Sequence, residues 1–165
     1  MKITTQRLII SVANTTDLPF FLTLLNSEGW KKYIGDRNVH TLEEAAVYFS
    51  TRWVGTMSNP HCGIYVIKLH DGTRVGMNSL VQRAHLDSID IGYAFTAEHE
   101  GKGYATEATQ AFLNWTMNDL NYQKVYGFCL TSHPASMRIM EKLGMTKGEP
   151  FIDVDAECAL YKIEK

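Results

Sequence analysis

The chain has 165 residues, of which 45% are hydrophobic and 21% are charged, so it is long and apolar enough to form one globular domain with a buried core. Its net charge of −2 and pI near 6.3 argue against nucleic-acid binding, which requires clustered lysine and arginine side chains. The first apolar run is short and is broken by Ser11 and Asn14, unlike a signal peptide or a membrane span. We therefore expect a single domain over residues 1–165, cytoplasmic, monomeric or homodimeric, with no membrane and no nucleic-acid partner.

The chain begins with a predicted strand and a predicted helix. Residues 7–12, RLIISV, have the apolar character of a strand. Thr16 is placed to cap a helix that runs to about Leu25, and Pro19 is tolerated because it falls in the first helical turn.

A loop and a second helix are predicted next. Residues 27–40 show no periodic pattern and contain aromatic and charged side chains, so this loop is a candidate binding surface. Thr41 and Glu44 form the ends of a capping box, from which a helix is expected to run to about residue 49 or 52.

The middle of the chain predicts three strands. Residues 63–69 and 74–82 flank Asp71 and Gly72, a pair that supplies the positive φ angles of a tight hairpin turn. A third strand is predicted over residues 88–96.

The second half of the chain predicts a crossover connection. Apolar residues recur at helical spacing over residues 102–117, and residues 124–130 form the next strand. A strand, a helix and a strand in this order indicate a parallel strand pair. Residues 134–144 predict another helix, with proline at its start and glycine at its end, and residues 156–163 predict a last strand.

Two glycines lie where the third predicted strand ends and the crossover helix begins, in residues 98–108, EHEGKGYATEA. Unpaired amides and the helix dipole make this position suitable for an anion, and glycine lets a phosphate approach the backbone. The spacing does not match a Walker A loop, and a Rossmann fingerprint would require glycine where Thr106 stands. The sequence therefore predicts a phosphate-binding loop of a third kind.

This loop resembles the Q/R-x-x-G-x-G/A pyrophosphate loop of the GNAT N-acetyltransferases. The match falls on Gly103 and Ala105, whereas Glu100 stands where the family usually has Gln or Arg. A carboxylate at Glu100 must point away from the phosphates or reduce the affinity for them.

The resemblance extends over most of the chain, and the matching blocks are similar to those of the RimJ/RimL branch of the family. It includes TTQRLII near the start, IDIGYAFTAEHEGKGYATEA in the middle and SHPASMRIMEKLGM after the strand 124–130. In the last block, His133 and Met145 stand where the family usually has Asn and Phe.

The resemblance implies an α+β GNAT fold: a mixed, mostly antiparallel sheet with a splayed parallel strand pair, flanked by helices. It implies an enzyme that moves an acetyl group from acetyl-CoA, its co-substrate, directly to a primary amine. In this family the pantetheine arm pairs with the free edge of the strand that corresponds to residues 91–96. A backbone amide near Tyr93 to Phe95 then faces the thioester oxygen. The implied cofactor-binding residues are Tyr93, Ala94, Phe95, Thr96, Glu100, Gly101, Lys102, Gly103, Tyr104, Ala105, Thr106 and His133.

Ser136 is the candidate catalytic residue. Many GNAT members stabilise the leaving thiolate with a tyrosine at the position of Met140, and Ser136 matches the serine that the similar branch is thought to use instead. A thiol has a pKa of about 8.5, so one hydroxyl hydrogen bond is a sufficient aid to its departure. The alternative is that Ser136 caps or packs the start of its helix.

Other reactive side chains receive structural interpretations. Cys129 lies inside an apolar strand and is expected to be a buried reduced thiol, and the histidines have no metal-ligand spacing, so no metal is expected. Glu107 is expected to interact with the helix dipole or to cap neighbouring amides. No general base is assigned, because the available carboxylates are expected to be solvated; these are Asp90, Asp153, Asp155 and Glu157.

The amine site is predicted on the loop 27–40, where Trp30, Tyr33, Asp36 and Arg37 are the candidate substrate-binding residues. Ordinary loop packing is the alternative for these side chains. A protein N-terminus, a small amine and an amino-acid derivative all remain open as acceptors, since a fold does not determine its substrate. The alternative function is a non-catalytic acyl-CoA-binding sensor of the same fold.

Overall fold

A computed structural model describes residues 1–55, 59–153 and 156–165. The strands in these ranges are β1 (Lys2–Thr4), β2 (Leu8–Val12), β3 (Gly63–Leu69), β4 (Arg74–Gln82), β5 (Ile89–Phe95), β6 (Lys124–Leu130), β7 (Thr146–Lys147), β8 (Phe151–Asp153) and β9 (Ala156–Glu164). The helices are α1 (Leu18–Leu25), α2 (Glu28–Tyr33), α3 (Leu42–Phe49), α4 (Tyr104–Asn118) and α5 (Pro134–Lys142). None of these helices is long and apolar enough to cross a membrane.

The described strands form one mixed sheet in the order β1-β2-β3-β4-β5-β6-β9-β7, with β8 also paired to β9. Every pair is antiparallel except β5 and β6, which run parallel as the crossover connection requires. The ladder between β5 and β6 consists of the pair Asp90 and Tyr126. Beyond it the two strands separate, and we call the gap between residues 91–95 and 127–130 the split. The predicted GNAT fold is confirmed.

Side chains alternate between two hydrophobic clusters on the two faces of the sheet. On β3, Tyr65 and Ile67 belong to one cluster together with α4 and α5, whereas Ile64 and Val66 belong to the other cluster together with α1 and α3. This alternation follows from the two-residue period of a strand. Both faces are therefore covered, and the split lies between two packed layers.

Asn14, and not Thr16, is the capping residue before the first helix, and it caps a 3₁₀ turn that precedes α1. The Asn14 side chain accepts a hydrogen bond from the Thr16 amide at 2.9 Å, and the Asn14 amide donates to the Asp17 carboxylate at 3.1 Å. This capping box closes a 3₁₀ turn, Thr15–Asp17, that leads into α1. The prediction of Thr16 as the cap is wrong because Thr16 lies inside the 3₁₀ turn and the residue at the cap position of α1 is Asp17. Asp17 is fully buried and paired with Arg74 at 2.6 Å, which ties this turn to β4.

The predicted loop 27–40 contains a helix, α2, so the prediction of an uninterrupted loop is wrong. The Ser27 hydroxyl accepts a hydrogen bond from the Trp30 amide at 3.3 Å and caps this helix. Trp30 is 7% exposed and packs in the cluster with α1 and α3. An isolated helix of six residues is only marginally stable. The Ser27 cap and the packing of Trp30 therefore stabilise α2.

The other predicted elements are confirmed in type and order. The capping box of Thr41 and Glu44 begins α3, and β3 and β4 form the predicted hairpin. The turn differs in one detail, because of the two central residues only Gly72 has a positive φ, +92°. Asp71 instead accepts a hydrogen bond from the Thr73 amide at 2.9 Å, which is the usual contribution of an aspartate to a turn.

Candidate active site

β5 has one edge paired with β4 and one edge that faces the split. On the paired edge, the Thr96 amide donates to the Val75 carbonyl at 3.1 Å. The hydrogen bonds of an antiparallel pair alternate between the two edges of a strand, so the amides of Tyr93 and Phe95 point away from β4. They face the split, where an extended ligand can pair with them as an added strand would.

The glycine turn, residues 100–103, lies between the end of β5 and the start of α4. Gly101 and Gly103 have φ values of +71° and +81°, a region that residues with a Cβ rarely adopt. In the described part of the chain, the amides of residues 103–106 donate to no protein acceptor. These amides and the dipole of the 15-residue helix α4 act at the same place. The turn therefore has the backbone geometry of an anion site.

Arg7 and Glu107 hold the glycine turn from outside, and we call their contacts the clasp. The Arg7 guanidinium donates to the Lys102 carbonyl at 2.9 Å and to the Glu107 carboxylate at 2.6 Å, and lies 4.7 Å from the centre of the Tyr104 ring. Glu107 also accepts from the Thr5 hydroxyl at 2.6 Å and from the Arg7 amide at 2.9 Å. Burial alone would raise the pKa of Glu107, but the bonds from Thr5 and Arg7 together lower it. Of the two roles predicted for Glu107, the capping of neighbouring amides is wrong, because both of its oxygens are engaged by Thr5 and Arg7, which precede β2. The interaction with the helix dipole stays a prediction.

Two hydroxyl groups meet between the two sides of the split. The hydroxyl oxygen of Tyr93, on β5, lies 2.6 Å from the hydroxyl oxygen of Ser136, on α5, and 3.3 Å from the Ser136 carbonyl oxygen. Ser136 is 5% exposed. Burial raises the pKa of the Tyr93 phenol well above its ordinary value, so this group stays protonated. Met140, one turn further along α5, packs its side chain against Gly127 of β6.

Tyr33 and His133 close the same region from the other direction. Tyr33, on α2, and His133, immediately before α5, stack with ring centres 3.7 Å apart and planes within 5°. Burial lowers the pKa of His133, and the nearby charge of Lys32 lowers it further, so the imidazole is neutral at pH 7. The stack joins the predicted amine loop to the side of the split that carries Ser136.

These features agree with what comparison with known proteins shows. The acetyltransferase (GNAT) domain family matches residues 7–146. The chain belongs to the GNAT acetyltransferase family. The N-acetyltransferase YnaD of Bacillus subtilis, itself described as uncharacterized, is 26% identical over 148 residues, which cover 89% of this chain and 84% of YnaD. The prediction of an N-acetyltransferase is confirmed at the level of the family.

Solved GNAT structures share the whole fold. RimL, a ribosomal alpha-N-protein acetyltransferase solved with coenzyme A, has a TM-score of 0.86 at 14% identity and covers 99% of this chain and 98% of its own. The spermidine N-acetyltransferase of Vibrio cholerae, solved with CoA and spermine, has a TM-score of 0.81 at 18% identity and covers 97% and 96%. At these identities the likeness concerns the fold, and the RimJ/RimL branch stays a prediction.

The four residues predicted to bind the amine do not form one cluster in the structure. Tyr33 contacts His133, but Trp30 lies in the hydrophobic cluster, where its indole nitrogen has no partner among the described residues. Asp36 is exposed, and the Asn38 amide and the Lys31 ammonium lower its pKa. The Arg37 guanidinium donates to the carbonyl of Ile34.

Among the carboxylates that the sequence singled out, Asp90 lies in surroundings that differ from the prediction. Glu100 lies against α2, with one carboxylate oxygen 3.5 Å from where a Cβ on Gly29 would be. Asp90 is not solvated as predicted: it is 3% exposed and paired with Arg83 at 3.0 Å. Glu157 is exposed and accepts from the Thr131 hydroxyl. Asp153 ends β8, and Asp155 lies outside the described residues.

A cavity of about 510 Å³ lies between the end of α1 and the 3₁₀ turn Ala97–His99 that follows β5. Its lining is mostly of small polar side chains and is made up of Thr23, Asn26, Ser27, Thr96, Ala97 and Glu98. Thr96 is fixed there by a hydrogen bond of 2.7 Å to His99.

Sequence reasoning missed two functional contacts of this GNAT site: the clasp and the phenol of Tyr93. Arg7 and Glu107 both lie in blocks that resemble the family, but they are 100 residues apart in the chain and no local pattern indicates their pairing. The same holds for the Tyr93 hydroxyl, whose partner Ser136 is 43 residues away.

Proposed function

We propose that this GNAT chain transfers the acetyl group of acetyl-CoA directly to a primary amine. The order of groups along β5 supports this proposal. The amides of Tyr93 and Phe95 face the split, and the glycine turn at the start of α4 follows them. A pantetheine arm presents amide groups, and a diphosphate follows it. The ligand and the protein therefore offer complementary groups in the same order.

The glycine turn and α4 are the proposed diphosphate site. The amides of residues 103–106 would donate to phosphate oxygens, with the clasp holding Lys102 and Tyr104 in place from behind. Glu100 lies against α2, so its carboxylate leaves these amides accessible. The pantetheine arm would follow β5, with an amide at Tyr93 or Phe95 directed at the thioester oxygen.

Direct transfer requires few protein groups. The neutral amine attacks the thioester carbon, a carbon–nitrogen bond forms, the carbon–sulfur bond breaks with its electron pair on sulfur, and the nitrogen loses a proton to solvent. Ser136 is the proposed catalytic residue, as the donor of a hydrogen bond to the departing thiolate. Its hydroxyl contacts Tyr93 and does not cap α5, because the residue at the cap position is His133.

We propose an α-amine, such as a peptide N-terminus, as the acceptor. An α-amine has a pKa of about 7.7–8.0 and is roughly a tenth to a fifth neutral at pH 7, so it needs no strong base. The residues of α2 beside the Tyr33–His133 stack are Lys31 and Lys32, and the charge of Asp36 is already shared with Lys31. Positive charge there disfavours a polycation and favours a neutral amine.

Release of free thiol from acetyl-CoA tests this function. The panel would contain a short peptide with a free N-terminus and no lysine, the same peptide with a blocked N-terminus and one lysine, and spermidine. We expect thiol release with the first peptide and formation of its N-acetylated product in equal amount. A preference for spermidine would overturn the α-amine and leave the acetyl transfer standing.

The sensor alternative predicts a different pattern in the same assay. Acetyl-CoA would bind, as calorimetry would show, but no member of an amine panel would release thiol above the rate of hydrolysis. That result would overturn the proposed transfer.

A further inference from the structure

The hydroxyl pair of Tyr93 and Ser136 joins elements that belong to opposite sides of the split. Tyr93 lies on β5, and α5, which carries Ser136, follows β6 in the chain. The oxygens are 2.6 Å apart, Ser136 is buried and Tyr93 is half-buried. A contact this short between two hydroxyls shielded from solvent restrains the rotation of both groups.

Either hydroxyl group can donate in this contact, and the relative acidity of the two groups favours the phenol as the donor. A phenol is more acidic than an aliphatic hydroxyl and is the better donor. Burial raises the pKa of Tyr93, which keeps the phenol protonated and able to donate. Ser136 then accepts, and its own hydrogen must point away from Tyr93.

The Tyr93 contact leaves the Ser136 hydrogen free to turn away from β5. Cys129 is on β6, across the split from Tyr93. Burial raises the pKa of the Cys129 thiol, and the Ser136 hydroxyl acts in the opposite direction by favouring the thiolate. A hydroxyl donor in this position is suited to a sulfur anion.

We propose that Tyr93 is a positioning residue for acetyl transfer, whose hydroxyl donates to Ser136 and turns the Ser136 hydrogen toward the departing sulfur. This role rests on the proposed function. In the step, the carbon–nitrogen bond forms and the carbon–sulfur bond breaks, the thiolate keeps the electron pair and accepts the Ser136 hydrogen bond, and both hydroxyls keep their protons. The proton lost by the amine goes to solvent.

The arrangement acts on the rate more than on binding. The thiolate charge exists only when the carbon–sulfur bond is breaking, so a hydrogen bond to it is stronger in the transition state than in the bound thioester. Removing the phenol hydroxyl lets the Ser136 hydroxyl rotate, and the loss of one such bond corresponds to roughly a tenfold decrease in rate.

The test compares four chains under conditions where single turnovers measure the chemical step: wild type, Tyr93→Phe, Ser136→Ala and the double variant. We expect Tyr93→Phe to lower kcat about tenfold, with the Kd for CoA and the amine KM within about twofold of wild type. The double variant should be no slower than Ser136→Ala alone, because Tyr93 acts through Ser136. The matched control is Tyr126→Phe, which removes a phenol hydroxyl at the closed end of the split, where it contacts Asp87 at 2.9 Å, and should leave kcat unchanged.

Each result decides the role of Tyr93. Equal kcat for wild type and Tyr93→Phe overturns it, and so does a double variant that is slower than Ser136→Ala by the full Tyr93→Phe factor. A wild-type chain that binds acetyl-CoA but releases no thiol overturns the proposed function, and the role of Tyr93 with it. Thiol release by wild type with an equal kcat for Tyr93→Phe overturns the role of Tyr93 alone. Thermal unfolding of all four chains checks that the loss of rate is not a loss of folded protein.

Discussion

The glycine turn takes its shape from a residue about a hundred positions away. Arg7 donates to the Lys102 carbonyl, and Glu107 orients Arg7 by accepting from both its side chain and its amide. The guanidinium is held at two of its nitrogens, Nε by Glu107 and Nη1 by the Lys102 carbonyl, which restrains it in direction as well as distance. The clasp therefore holds the carbonyl of Lys102 on the outer side of the turn and leaves the following amides for the ligand.

The buried carboxyl group of Asp90 leads to a prediction about how the free energy of unfolding depends on pH. Its carboxyl group is 3% exposed, and burial raises its pKa from 3.8 to about 6, against the opposing effect of Arg83 and, more weakly, of His85. Between these two values the folded chain holds a proton that the unfolded chain has lost. The contribution of Asp90 to the free energy of unfolding therefore decreases as pH rises from about 4 to about 6, by at most about 3 kcal/mol.

Urea unfolding of wild type and Asp90→Asn at pH 4, 5, 6 and 7 measures this contribution. The stability of wild type relative to the variant should fall over this range and level off above pH 6.5. Asp87→Asn is the control, because a hydrogen bond from Lys124 lowers the pKa of Asp87 below 3.8. Its contribution is lost only as pH falls below the tested range, so the difference between wild type and Asp87→Asn should stay nearly level from about pH 5 to 7. A wild-type advantage over Asp90→Asn that grows with pH would contradict the prediction.

At the scale of elements, the start of α4 depends on Gly103 for two separable reasons. Its φ of +81° strains any residue with a Cβ, and that Cβ would lie 3.3 Å from the Arg7 guanidinium. Gly72 in the hairpin turn has a similar φ, +92°, with nothing within 4 Å of an added Cβ. Gly103→Ala and Gly72→Ala should therefore each cost about 1–2 kcal/mol of stability.

Only Gly103→Ala should also weaken CoA binding, by about tenfold, since it disturbs the clasp beside the diphosphate amides. Calorimetric titration of CoA into both variants separates the backbone strain they share from the site effect they do not. An equal Kd in the two variants would mean that the diphosphate lies elsewhere.

The elements that sequence reasoning identified are those with local determinants. The capping box of Thr41 and Glu44 lies within four residues and predicted α3 correctly. The short helix α2 was missed because part of its stabilisation comes from the packing of Trp30 in the cluster that includes residues of α1 and α3. The short strands β1, β7 and β8 were missed for the same reason, since their pairing partners give strands of two or three residues their only support. Contacts such as Tyr93 with Ser136 require the fold and not the local pattern.

The position of α2 leads to a prediction about the amine. Tyr33→Leu keeps an apolar side chain but removes the stack with His133, an interaction of about 1 kcal/mol. If the amine passes this stack, its KM should rise roughly fivefold while the KM for acetyl-CoA stays within about twofold. Tyr48→Leu on α3, which removes a ring in contact with Phe49 and Arg52, is the control. A rise confined to the KM for acetyl-CoA would assign Tyr33 to the pantetheine wall.

At the scale of the molecule, the sheet is closed at one end of the split and open at the other. Antiparallel ladders bind β5 to β4 and β6 to β9 along their lengths, whereas β5 and β6 share the pair Asp90 and Tyr126. The two halves are joined further along by side chains, in the Tyr93–Ser136 and Tyr33–His133 contacts. A ligand that pairs with β5 would therefore complete the sheet where the chain itself leaves it open.

Amide hydrogen exchange, followed by NMR, tests this view of the whole sheet. In the free chain the amides of Gly92 and Ala94 should exchange slowly, because they bond to β4, whereas those of Tyr93 and Phe95 should exchange fast, because their acceptor is not in the chain. CoA at about 100 times its Kd should slow Tyr93 and Phe95 by up to about a hundredfold, since exchange then requires release of the ligand. Gly103→Ala at the same CoA concentration should show weaker protection, because less ligand is bound. Slow exchange of all four amides without CoA would mean that β5 already has a partner on both edges, and the pantetheine arm could not pair with it.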